Sequence, residues 1–225
     1  MDQITTISIA MALAWASGIR LYAVLFLIGL AGYFQWFGWD LPSSFEVLSH
    51  PLVLVSTGLL VVTEFFADKV PAIDSIWDAV HTFVRIPSGA LLAAGVIGVN
   101  DSAEWSIAAG LLGGTITAGT HFFKAGGRAV INTSPEPVTN WTSSFTEDAL
   151  VLGGLWLAVK HPIAFLAILL LFFGASRMGA AKVMAPVESS LDRAVRGERR
   201  THNSVVDRLA LVNRASVKQR LSKSV

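Results

Sequence analysis

The sequence predicts an all-α protein, a polytopic transmembrane helical bundle of six or seven spans. Three observations carry this. Hydrophobic residues make up 53% of the 225 positions, the mean hydropathy is +0.58, and only 15% of residues are charged, against about 25% in a soluble domain. The charge is also unevenly placed: 11 of the 17 Lys and Arg lie between Arg177 and the C-terminus. Finally, the first 176 residues divide into long apolar runs separated by short polar or Pro-marked breaks. The expected organisation is a transmembrane domain over 1–180 and a basic cytoplasmic tail over 181–225. The absence of cysteine excludes disulfides, thiolate metal sites and cysteine nucleophiles.

The candidate spans are 4–17, 19–39, 51–66, 87–99, 103–123, 149–159 and 162–176. A full crossing needs about 20 residues, so the shorter runs either gain polar ends or do not cross fully. No Lys or Arg precedes the first run, which is therefore read as a retained span and not a cleaved signal. Residues 4–37 are too long for one straight crossing, and Ser17-Gly18-Ile19-Arg20 is the expected break. Six spans with a broken first helix or seven separate spans both fit.

Orientation follows the basic residues near span ends. The tail is cytoplasmic on this rule, as are 67–86 and 124–148, which hold Lys69, Arg85, Lys124 and Arg128. This is the pattern of a multi-pass membrane protein. Two matched features, His50-Pro51 with His161-Pro162 and Pro71 to Trp77 with Pro135 to Trp141, suggest duplicated halves, a common transporter plan. In the tail, 187–196 and 205–217 fit short amphipathic helices. Arg193, Arg196, Arg199 and Arg200 form a basic cluster of the kind that attracts anionic lipid.

Two polar stripes interrupt the oily body. Asp74, Asp78, His81 and Arg85 fall at i, i+4, i+7 and i+11, one face of a helix that Pro71 opens and Pro87 is expected to end. Glu64 and Asp68 share a face just before it. The stripe is read either as a solvated face at the cytoplasmic interface or, with Glu64 and Asp68, as an ion or proton path. For Asp74 and Asp78 the solvated face is preferred. For Glu64, set deep in an apolar run, a site or a buried ion pair is preferred. Carboxylates and a histidine also suit a divalent metal, so Asp74, Asp78 and His81 are the alternative metal set. The second stripe is cationic: Thr117, His121, Lys124 and Arg128 at the same spacing, followed by the polar loop Asn132 to Pro137 with Glu136. It is expected to pair with the acidic stripe or to grip a phosphate or carboxylate, with Arg20 and Tyr22 contributing from the broken first helix. Gly110, Gly113, Gly114 and Gly119 read as close helix packing.

Familiar catalytic motifs are incomplete. Arg85-Ile86-Pro87-Ser88-Gly89 lacks the histidine that membrane lipid phosphatases carry after Ser-Gly, and a second acidic motif to match Asp74 and Asp78 is missing. Ser17-Gly18-Ile19-Arg20, the block from Glu64 to Gly89 with Asp68-Lys69 and Pro71, and the stretch from Thr117-Ala118-Gly119 to Asn132-Thr133-Ser134-Pro135-Glu136-Pro137 are similar to a bacterial membrane family, domain of unknown function 4126. The resemblance covers about 4–176. It implies a bacterial inner-membrane protein and no particular activity.

Three functions follow as expectations. The first is a small transporter or lipid flippase that holds an anionic solute or lipid headgroup at Arg20, Tyr22, His121, Lys124, Arg128, Asn132 and Glu136. Ion or proton coupling would run through Glu64, Asp68, Asp74, Asp78 or His81. The second is a metal-dependent membrane enzyme acting on a lipid phosphate. The third is a membrane scaffold. Membrane lipids are the expected partners, a homo-oligomer is open, and nucleic acid is not expected.

Overall fold

The computed structural model describes residues 2–36, 42–98, 102–133 and 137–176. Among them there are six α-helices, one 3-10 helix over Ser43–Ser49, and no strand. The helices are α1 (Gln3–Tyr33), α2 (Pro51–Ala67), α3 (Pro71–Ile97), α4 (Ala103–Ile131), α5 (Pro137–Lys160) and α6 (Pro162–Ser176). The chain divides into one compact unit over Met1–Phe173 and a second over Gly174–Val225. The amphipathic segments and basic cluster expected in the tail lie outside the described residues.

Local chemistry accounts for the starts. Asp2 caps α1 by accepting from the Thr5 amide at 2.7 Å. His50 caps α2 by accepting from the Leu52 amide at 3.3 Å, with Pro51 in the first turn. Pro71 opens α3 in the same way.

Two helices, α1 and α3, are long and apolar enough to cross a membrane, and the 3-10 helix with α2 forms a third candidate bent by 73°. Several expected boundaries move. Pro87 does not end a helix; α3 runs through it to Ile97. Proline removes one i to i−4 hydrogen bond, and here the helix continues past it. The polar segments expected as interfacial pieces are the ends of long helices, since α4 extends to Ile131 and α5 begins at Pro137. The expected break in the first helix is present, at Arg20 (φ −140°, ψ 71°).

α1 lies at the centre, packed on α2, α3, α4 and α5. Small residues let it approach α4. A Cβ on Gly18 would overlap the Thr120 side chain and come within 2.7 Å of the Thr117 carbonyl oxygen. Thr117 Oγ1 donates to the Ala14 carbonyl at 2.8 Å, and Thr120 Oγ1 to that of Trp15 at 3.2 Å. The close packing expected at the α4 glycines is present: Gly113 lies against Ala93 and Gly89 of α3, and Gly119 against Phe173 of α6. Gly18→Ala is expected to cost about 1–3 kcal/mol by overpacking. Gly126→Ala, which meets open space, should be neutral or stabilising by up to about 1 kcal/mol through helix propensity. Thermal unfolding of the two variants in one detergent checks the contrast.

The surface is inverted relative to a water-soluble protein. On α3, Asp74, Asp78, His81 and Arg85 are buried, whereas Ile76, Val80 and Phe83 are exposed, Phe83 to 84%. On α4, Thr117, His121, Lys124 and Arg128 are buried while Leu111, Phe122 and Val130 face out. The charged stripe of α3 is thus not the solvated face preferred for Asp74 and Asp78 from the sequence.

Candidate functional site

The break in α1 builds the site. Leaving helical geometry at Arg20 exposes carbonyls that would otherwise bond within the helix. Arg85 Nη1 donates to the carbonyls of Gly18 at 3.2 Å and Ile19 at 2.7 Å, and Lys124 Nζ to that of Ile19 at 3.3 Å. The C-terminal end of a helical segment carries partial negative charge, so two cations suit it.

Around this break the acidic and cationic stripes meet. Arg85 Nη2 lies 2.5 Å from Glu64 Oε1 and 3.4 Å from Asp78 Oδ1. Lys124 Nζ is 3.5 Å from Asp78, 3.6 Å from Asp68 and 3.6 Å from Glu147. Arg128 reaches Glu147 at 2.9 Å, Asp68 at 3.6 Å and Asp74 at 3.9 Å. Arg20 pairs closely with Asp68, and with Asp148 at 2.8 Å and Glu147 at 3.5 Å. Asp68, immediately after α2, therefore sits among Arg20, Lys124 and Arg128 with no solvent exposure. In this network six carboxylates face four cations on α1, α3 and α4.

The sequence-selected residues fall into three groups. Arg20, Glu64, Asp68, Asp74, Asp78, Lys124 and Arg128 are in the network. Asn132 joins its edge, donating to Asp74 Oδ2 at 2.8 Å. Tyr22 and His81 form an adjoining aromatic wall instead. The His81 ring stacks on Trp77 at 4.0 Å between centroids, its Nδ1 lies 2.7 Å from the Trp77 carbonyl oxygen, and Tyr22 meets both rings edge-on. His121 Nε2 lies 2.7 Å from Thr82 Oγ1. Glu136 lies outside the described residues. Asp74, Asp78 and His81 do not form the alternative metal set: Asp74 faces Arg128, Asp78 faces Arg85 and Lys124, and His81 turns to Trp77. Among the described residues no three His, Asp or Glu side chains are placed to hold a metal ion.

Four contributors from α5 stand out in the sequence as a polar run but not as site residues. Glu147 touches three of the cations, Asp148 pairs with Arg20, the Ser144 hydroxyl and carbonyl oxygens each accept from Arg20 at 3.0 Å, and Asn140 accepts from Arg128. Their spacing, Asn140, Ser144 and Glu147, is a third helical stripe and was the available signal. Arg85 was recognised in its stripe but not as a site residue. At the rim, Lys69 Nζ lies 3.2 Å above the Phe65 ring and donates to Ser144 Oγ at 3.3 Å. Burial, then the charge of Arg20, pushes the Lys69 ammonium below its ordinary pKa.

Cavities flank the network on two sides. One of about 250 Å³ lies among α1, α2 and α5 and is lined by Arg20, Glu64 and Asp148 together with Phe26, Val61 and Val151. A larger groove of about 870 Å³ lies among α1, α4, α5 and α6, with Lys124, Arg128 and Glu147 in its wall.

The family model described as Domain of unknown function (DUF4126) matches residues 7–180, most of the chain. The chain belongs to this family. The comparisons with curated proteins and with solved structures give no match. The DUF4126 match covers the whole described network, from the break at Arg20 to Asp148 on α5.

Proposed function

We propose that this DUF4126 protein is a small multi-pass transporter or lipid flippase of a bacterial inner membrane, with its C-terminus in the cytoplasm, that handles an anionic solute or lipid headgroup at the buried charge network. One observation carries the reading. A broken, central helix brings carbonyls held by Arg85 and Lys124 to a buried cluster of opposite charges that has a cavity on two sides. Buried charge beside a helix break is the usual layout of a transport site. The inverted surface supports lipid surroundings, because apolar side chains face outward around charged interiors. The buried carboxylates of Glu64, Asp68, Asp74 and Asp78 are the groups through which ion or proton coupling would run.

The test is reconstitution. Purified protein in liposomes should accelerate loss of an anionic, fluorescent phospholipid to a membrane-impermeant quencher, or uptake of a small phosphate or carboxylate, above protein-free vesicles. Arg128→Gln should slow whichever process is found. Protein that is folded by thermal unfolding yet moves none of these probes at any pH gradient would reject the reading.

A further inference from the structure

We propose that the larger groove is a binding site for one anionic phospholipid, and that Glu147 is a resident counter-anion occupying the place of the lipid phosphate. The proposal rests on reading the charge network as an anion-binding centre and specifies its ligand.

The groove is graded along its length. Towards the start of α5 its wall carries Lys124, Arg128, Glu147, Thr142 and Thr146 beside Ile131 and Val138. Towards the end of α5 and onto α6 it carries Trp15, Leu150, Leu157, Phe165 and Leu169, with Trp15 and Phe165 packed edge-on at 5.9 Å. From Thr142 to Leu157 the helix rises about 22 Å, more than the roughly 15 Å that one leaflet contributes to the hydrocarbon core. A molecule matching this gradient has a charged head and a long apolar chain. A free phosphate ion would use only the polar end and leave the apolar length empty.

The head position follows from Glu147. Its carboxylate meets Arg128 at 2.9 Å, Arg20 at 3.5 Å and Lys124 at 3.6 Å, and its side chain is 13% exposed. Among the carboxylates on Lys124 and Arg128 it is the one in the groove wall; Asp68, Asp74 and Asp78 are not among the lining residues. Arg128 Nη2 is buried with no hydrogen-bond partner, its anion being Asp68 Oδ2 at 3.6 Å, so its hydrogens are not committed to a short bond. A phosphodiester carries one negative charge. At these three cations it matches the single charge that the Glu147 carboxylate supplies, and the displaced carboxylate, already 13% exposed, turns to the open side of the groove.

Two variants separate binding from folding. Glu147→Gln removes the competing charge while keeping the side-chain shape. Gly153→Phe, at a groove glycine whose added Cβ would meet nothing within 4 Å, fills the apolar length without touching the ion pairs. Native mass spectrometry of purified protein titrated with phosphatidylglycerol, phosphatidylcholine or inorganic phosphate reads the result. Phosphatidylglycerol should bind the wild type in preference to the other two. Glu147→Gln should bind it about tenfold tighter, the size of one charge-assisted hydrogen bond, and Gly153→Phe should lose it while unfolding at the wild-type temperature. Unchanged or weaker binding by Glu147→Gln, unimpaired binding by Gly153→Phe, equal binding of inorganic phosphate, or no preference for the anionic lipid would each overturn the proposal. Lipid that binds as described but is never translocated would reject transport and leave the groove assignment standing. Translocation untouched by Gly153→Phe would reject the groove and leave transport standing.

Discussion

Asp68→Asn should be among the most destabilising single substitutions in the chain, costing about 3–5 kcal/mol, because it removes the anion shared by buried cations. Arg20 pairs closely with Asp68, and Lys124 and Arg128 each reach its Oδ2 at 3.6 Å. The residue has no solvent exposure, so water cannot take over its role. Asparagine keeps the shape and removes the charge, leaving three cations that repel one another around a neutral group. Asp148→Asn provides the comparison. Asp148 also pairs with Arg20, at 2.8 Å, but its side chain is 34% exposed, and loss of a solvent-screened pair costs about 1 kcal/mol or less. Thermal unfolding of both variants in the same detergent gives the ranking. Equal losses would mean that Asp68 is not the electrostatic centre of the bundle.

That centre was partly legible in the sequence. The charged stripes of α3 and α4 follow from helical spacing alone, and so does the break near Arg20, which Ser17-Gly18 announces. What spacing cannot give is the sense of a stripe. Asp74, Asp78 and Arg85 repeat identically whether the face meets water or a second charged helix. The deciding signal was complementarity with the two stripes read in opposite directions: Lys124 and Arg128 at the end of the α4 stripe meet Asp78 and Asp74 at the start of the α3 stripe, and the residues between them on α3, such as Ile76, Val80 and Phe83, are apolar enough to face lipid. Glu147 and Asp148 were visible as polar residues at the start of an apolar run. They were missed as site residues because their partners, Arg20, Lys124 and Arg128, are far away in the chain, and a single sequence carries no distance information. Pro87 misled for a local reason. A proline inside a helix sacrifices one hydrogen bond, and packing of α3 against α1 and α4 carries the helix past it.

The Glu64–Arg85 pair should show strong energetic coupling in a double-mutant cycle. Arg85 uses its fork in two directions: Nη1 holds the Gly18 and Ile19 carbonyls at the break in α1, and Nη2 holds Glu64 at 2.5 Å. Arg85→Met strips both, leaving the carboxylate of Glu64, which is 1% exposed, without its cation and taking the guanidinium from both carbonyls. A loss of about 3–5 kcal/mol is expected. Glu64→Gln should cost less, because the amide still offers an oxygen to Arg85. In the double variant the buried carboxylate is gone, so the total should fall short of the sum of the single losses by about 1–3 kcal/mol. It should not return to the wild-type value, since both carbonyls have lost the Arg85 guanidinium. Arg85→Lys should rescue only part of the loss, because one ammonium cannot span the carbonyls and Glu64 with the geometry of a guanidinium. Additive single losses would show that Glu64 and Arg85 do not depend on each other. Full rescue by Glu64→Gln in the Arg85→Met background would show that Arg85 is there for Glu64 alone and that the break in α1 holds its shape without it.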